Sequence, residues 1–173
     1  MNKAVHALAA VTLGALALVG CAAQNPNDAA IVGNTQVRQA DVDQTVAELL
    51  AATQAQPGQL RLAVVNTLIN GQVAQQLAST NNVPLTDEAR AEIVKQVPEL
   101  VQLSQTEGGR RYVDNATDYV IVARKLGQDK YLTECSRMQI SVNPRYGSWV
   151  PDACQLSGAS GSLSRVAPTM PNP

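Results

Sequence analysis

Between Asp41 and Leu126, apolar residues recur at three- and four-residue steps, the spacing of helices that bury one face. Val42, Val46, Leu49 and Leu50 line a first helix, with Asp41 placed to cap it, Gln44 completing a box-like start, and Pro57-Gly58 closing the segment. From Leu60 two rows, Leu60-Val64-Leu68 and Val65-Ile69-Val73-Leu77, form a broad stripe suited to a central helix that ends at Asn81-Asn82. Gly71 lies within it and lowers helix propensity by about 1 kcal/mol relative to alanine, which points to close packing against a neighbour. Thr86-Asp87-Glu88 supplies a capping hydroxyl and two carboxylates for a third helix through Ala89, Ile93 and Val97, which Pro98 interrupts. After Gly108-Gly109, Tyr112, Ala116, Tyr119, Val120, Ala123 and Leu126 mark a long last helix that stops near Gly127.

Two runs break this period. Ala29-Ala30-Ile31-Val32-Gly33-Asn34-Thr35-Gln36-Val37 reads as a strand entering a turn at Gly33-Asn34, and Met138 to Asn143 alternates apolar and polar before Pro144. If Ile31-Val32 pairs with Ile140-Ser141-Val142, the two ends of the domain meet, with the helices supporting a ribbon too small to stand alone. The expected fold is therefore mainly α: a bundle of about four helices with a short two-strand ribbon joining the N- and C-terminal ends.

The start of the chain follows a different logic. Lys3 is followed by an apolar run from Ala7 to Val19, shorter than the roughly 18 to 20 residues a helix needs to cross about 30 Å of hydrocarbon. The run thus reads as an export signal, and Leu18-Val19-Gly20-Cys21 resembles the bacterial lipobox, in which a cysteine receives a diacylglycerol before cleavage. That resemblance implies lipidation at Cys21, a signal peptide over 1–20, and a chain held at the outer, extracytoplasmic face of a cell membrane. Two or three acyl chains at about 0.8 kcal/mol per buried methylene anchor stably where one does not. Residues 21–28 read as a polar tether, 29–156 as the folded domain, and 157–173, rich in Ser, Gly and Pro, as a disordered tail.

Composition narrows the chemistry. The chain carries 13 Lys+Arg against 14 Asp+Glu with no long run of either sign, which argues against nucleic acid as a partner. The one histidine, His6, lies in the signal, so the mature protein has no imidazole for general base work or zinc. Ser104, Ser136 and Ser148 belong to no lysine-bearing nucleophile motif. No enzyme activity, metal, cofactor or small-molecule substrate is expected.

Cys135 and Cys154 remain once Cys21 is acylated, and an exported chain meets oxidising conditions. A bridge between them is favoured over two free thiols; closing a loop of about 20 residues, it is worth roughly 3 kcal/mol in the chain-entropy model. Arg110 and Arg111 sit against the macrodipole at a helix start and read as a solvated pair helped by Glu107, while Arg145 is placed to meet a helix carboxylate. There is no Phe, and Tyr112 and Tyr119 fall on an apolar row. Tyr146 and Trp149 flank a turn and are better candidates than Tyr112 and Tyr119 for a partly exposed contact with a client, although packing over the small core is the favoured fate of both.

The segments Ala30 to Val37 with Asp41-Val42-Asp43, and Ile140-Ser141-Val142-Asn143-Pro144-Arg145-Tyr146-Gly147, resemble the SurA N-terminal-like domain of the SurA and PrsA foldases. There a strand, turn and helix open a helical chaperone module and a returning strand closes it. The resemblance covers roughly residues 29 to 150, its specific content lying in the two terminal segments. It leaves no room for the parvulin isomerase domain of the larger family members. What it implies is a non-catalytic, membrane-anchored module that contacts unfolded or partly folded exported polypeptides; an adaptor lipoprotein binding one cell-envelope partner is the rival reading.

Overall fold

The computed structural model describes residues 25–53 and 55–157. The signal over 1–20, Cys21 and almost all of the expected tail lie outside them. The described chain is mainly helical with small antiparallel sheets. Strands β1 (Asp28–Val32) and β2 (Thr35–Arg38) precede helices α1 (Gln39–Ala52), α2 (Pro57–Asn81), α3 (Asp87–Gln96), α4 (Pro98–Leu103), α5 (Glu107–Leu126) and α6 (Gln128–Ser136). Strands β3 (Ile140–Val142), β4 (Ser148–Val150) and β5 (Gln155–Ser157) follow, with short 3-10 turns before and after β4.

The two ends of the domain do meet: β1 pairs antiparallel with β3, Ile31 opposite Ser141 and Val32 opposite Ile140. The sheet has three strands in the order β2-β1-β3 where a two-strand ribbon was expected, because Gly33, at φ 57°, lets the chain turn back so that Val32 faces Thr35. Gln76 of α2 donates to the Val32 carbonyl at 2.8 Å, which ties this sheet to the central helix, and Asn143, just past β3, donates its side-chain amide to the Asp28 carbonyl at 3.2 Å. A second ribbon, β4 with β5, was not anticipated; it includes Ser157, the first residue assigned to the expected tail. Likewise Asp28 is strand and buried, so the tether ends one residue earlier than expected.

Among the described residues the core runs from Ala29 to Leu156. The central helix is α2, burying Val64, Val65, Leu68, Ile69, Val73, Ala74 and Leu77 mainly against α5 and α1. Local boundaries differ from the expectation where caps compete. Helix α1 starts at Gln39 with no side-chain cap, so Asp41 lies inside its first turn, and Pro57 opens α2 because a missing N–H is harmless there. Thr86 does cap α3, accepting from the Ala89 amide at 3.2 Å.

Helix α5 departs most from its apolar row. The residues it buries are Gly108, Gly109, Val113, Asn115, Thr117, Asp118 and Val122, while Tyr112, Ala116, Tyr119, Val120, Ala123 and Leu126 are only partly covered. Its small and polar side faces α2 because Gly71 admits Asn115 there: a Cβ at position 71 would stand 2.0 Å from Asn115 Oδ1. Thr117 donates to the Val113 carbonyl at 2.9 Å and the Asn115 amide nitrogen to the Arg111 carbonyl at 2.8 Å, while Asn115 Oδ1 lies buried against Gly71 without a hydrogen bond. The aromatic side is covered by α6, whose fully buried Tyr131 meets Tyr119 edge-on with centroids 5.1 Å apart. Gly127, at φ 84°, separates the two helices.

Candidate functional site: an apolar groove between two helices

The apolar row Ala89-Ile93-Val97-Val101 runs at four-residue spacing through Pro98. Because proline opens a new helix, Val97 falls at the junction with φ −132° and ψ 85°, and the row divides. Ile93 turns inward, whereas Val97 and Val101 stay 39% and 45% exposed, the large apolar side chains most open to water among the described residues. Between α3 and the C-terminal half of α5 lies an open groove of about 470 Å³, floored by Val83, Pro84, Ala89, Ile93 and Ile121. Its rim is charged and polar: Glu92 and Gln96 on one side, Arg124 and Lys125 on the other.

One ion pair positions the α3 wall. Asp118, wholly buried, accepts from Arg90 Nε at 2.7 Å and Nη2 at 3.2 Å, and from Gln75 Nε2 of α2 at 3.0 Å. Arg90 also reaches Asp87 at 3.0 Å. The hydrogen bond to Asp118 holds the Arg90 guanidinium above its ordinary value despite burial. One turn away burial raises the Asp114 carboxyl, against the opposing attraction of Arg90. Nothing in the periodicity of the sequence marks Asp118, which lies off the apolar row of Tyr112, Ala116, Tyr119, Val120 and Ala123.

Two further clefts lie elsewhere. One of about 390 Å³ sits beside the Cys135–Cys154 disulfide, lined by Asn66, Thr67, Asn70, Tyr119 and Tyr131 among others. Its buried polar groups are occupied: Tyr131 donates to the Asn70 carbonyl at 3.2 Å and Asn66 Oδ1 accepts from the Leu156 amide at 2.9 Å. Another of about 400 Å³ opens at the N-terminal end of the sheet.

The residues expected to carry function are scattered. Cys135 and Cys154 are bridged, with Cα atoms 6.0 Å apart, and pin α6 to the segment leading into β5. Tyr146 is corrected as a client contact: at the end of the 3-10 turn Pro144–Tyr146 it is 3% exposed and packs in the core, the fate its position favoured. Trp149 is half-buried, packs against that core, and lines neither the groove nor the disulfide cleft. Arg111 is not a solvated side chain; it reaches Glu107 at 3.1 Å, Thr45 at 3.3 Å and the Asp41 carboxylate at 3.5 Å, joining α5 to α1. Arg145 donates to the Gln39 side-chain carbonyl at 2.8 Å where a carboxylate was expected.

Among the described residues no group of three His, Cys, Asp or Glu is arranged to hold a metal ion. Nor is any described helix long and apolar enough to cross a membrane. No protein-family model matches the chain, and no match was found among curated proteins or solved structures.

Proposed function

We propose that this protein is a lipid-anchored, extracytoplasmic, non-catalytic chaperone-like module that holds exported polypeptides in a partly folded state through the groove between α3 and α5. The observation that carries the reading is the groove itself, apolar on its floor and rimmed by charge, with Val97 and Val101, the next members of the sequence row that holds Ala89 and Ile93, left facing water. Contiguous apolar surface of this kind marks interaction sites, whereas single exposed apolar residues do not. The layout agrees with the SurA-like resemblance: terminal strands pair across a helical body whose four longest helices are α1, α2, α3 and α5. Export and anchoring rest on the lipobox-like Leu18-Val19-Gly20-Cys21.

The test is suppression of aggregation of a chemically unfolded client by residues 22–173. Near-stoichiometric suppression is expected, and Val97→Glu with Val101→Glu together should abolish it while changing stability by less than about 0.5 kcal/mol, as exposed substitutions do. No suppression at tenfold excess of the protein over client sinks the reading.

One observation favours the adaptor alternative. Among the described residues the exposed large apolar side chains are only two, Val97 and Val101, four positions apart around the α3–α4 junction, a footprint suited to a single envelope partner. Crosslinking in the native host followed by mass spectrometry separates the two, since a broad set of captured chains supports the chaperone and one dominant, groove-dependent partner supports the adaptor. Anchoring is tested by the mass of the amino-terminal peptide from that host, where an unacylated Cys21 overturns it.

A further inference from the structure

The cleft at the N-terminal end of the sheet holds a charge that the fold itself leaves unanswered. Asp28 opens β1 and is 3% exposed, yet its Oδ2 is buried without a hydrogen-bond partner. No cation among the described residues forms an ion pair with it. Buried carboxylates are as a rule paired or well hydrogen-bonded, because desolvating an unpaired one is expensive. The register shifts between Asp28 and Ala30, a bulge of the sort that re-aims a side chain at the rim of a sheet.

Arg38 stands opposite Asp28 across the strands, exposed and not closed onto it. Both line the cleft together with the amides of Asn25, Asn27 and Gln36. The other acid there, Asp43, is engaged by Arg61 and Gln39. A buried carboxyl group beside an exposed guanidinium, with the side-chain amides of Asn27 and Gln36 on the same lining, fits a small zwitterion carrying an ammonium and a phosphate. The ammonium must be primary: it offers three N–H donors to a carboxylate, whereas a quaternary one offers none and needs aromatic faces that this cleft lacks.

Chain length says what surface the cleft meets. Asn25 follows Cys21 by four residues, which span at most about 14 Å. A chain acylated at Cys21 therefore keeps this cleft within reach of the headgroup layer.

We propose that the cleft binds the phosphoethanolamine headgroup of a phospholipid, Asp28 receiving the ammonium and Arg38 the phosphate, so that the domain is oriented on its membrane with the groove available to clients. The lipid source rests on the anchored reading above; the binding chemistry does not.

The experiment uses residues 22–173, which keep every core residue and carry no acyl chain. Amide resonances are followed while O-phosphoethanolamine is added, and sedimentation is measured with phosphatidylcholine vesicles containing or lacking phosphatidylethanolamine. Saturable shifts at Asp28, Ala29 and Arg38 are expected, with binding weakened about tenfold or more for phosphocholine and for Asp28→Asn, in line with loss of a charge-assisted bond. Arg38→Ala, an exposed change that leaves folding intact, should weaken O-phosphoethanolamine but not ethanolamine. Absence of saturation, equal affinity for phosphocholine, or an unchanged Asp28→Asn variant overturns the proposal. Binding of the free compound without sedimentation on phosphatidylethanolamine vesicles overturns the membrane as its source. Each of these results is independent of whether Cys21 is acylated, which the native peptide mass reports.

Discussion

Asp118 accepts both a 2.7 Å and a 3.2 Å hydrogen bond from the guanidinium of Arg90, and this two-point contact joins α3 to the buried side of α5. The two partners differ in environment: Asp118 has no exposure, while the Arg90 side chain keeps 23%. Removing Arg90 leaves a buried carboxylate with only Gln75 to answer it, so Arg90→Leu should lower stability by about 3 kcal/mol or more. Removing Asp118 lets Arg90 turn to water and Asp87, so Asp118→Leu should cost less, on the order of 1 to 2 kcal/mol. Urea denaturation of both variants checks the ranking, and the opposite order would show that Arg90, not Asp118, is the group trapped by burial.

Gly71 offers a sharper test, because two effects compete with known signs. Alanine improves helix propensity by about 1 kcal/mol. Against that, its Cβ would stand 2.0 Å from Asn115 Oδ1 and 2.4 Å from Asn115 Cβ, where something must move. Overpacking of a core typically costs about 1 to 3 kcal/mol, so Gly71→Ala should be net destabilising despite its better propensity. Asn115→Gly in the same chain should recover part of the loss. A double-mutant cycle measures the coupling, and additive single effects would exclude the clash as the cause.

Reduction of Cys135–Cys154 should release a defined part of the molecule. The bridge spans 19 positions and holds α6 against the β4–β5 ribbon. Cys135→Ser with Cys154→Ser should lower stability by about 3 kcal/mol in the chain-entropy view. Hydrogen exchange should accelerate first at Ser148 to Ser157 and in α6, while α2 stays protected. Uniform acceleration across the domain would mean that the ribbon is not a separable unit.

Acid should loosen the junction of α1 and α5 before the rest. The Glu48 carboxyl is held below its ordinary 4.5 by Thr106 first, then Gln44, and by the Gly108 and Gly109 amides at the start of α5. A carboxyl lowered in the folded state adds stability at neutral pH, and that contribution disappears as pH falls below 4.5 through the folded value. Asp114 has the opposite sign: burial raises it, so its penalty is relieved as it protonates. Glu48→Gln should therefore flatten the acid limb of stability against pH and Asp114→Asn should steepen it. Thermal melts between neutral pH and pH about 3 read both, and unchanged limbs would disprove the assignment.

Much of the fold was legible in the chain. The stripes of α1 and α2, the Thr86 cap of α3, and the strand character of residues near Ile31 and Ser141 follow from spacing and turn chemistry, which are local properties. Helix α6 was missed because Gln128 to Ser136 has no long stripe of its own; buried Tyr131 and the bridged Cys135 dock it. The groove was half visible, since Ala89, Ile93 and Val97 lie in one row, but only the break at Pro98 decides that Ile93 turns in while Val97 and Val101 turn out.

The sequence by itself determined which segments bury an apolar face, where the chain bends, and that two cysteines were placed to bridge. Only the tertiary structure decided that α5 turns its polar side inward, that Tyr146 is core, and that the Oδ2 of Asp28 is buried without a hydrogen-bond partner. Periodicity records how apolar each face is, whereas which face is covered depends on how closely neighbours approach. At Gly71 the neighbour comes close enough for Asn115 to fill the space that an apolar side chain would otherwise have taken.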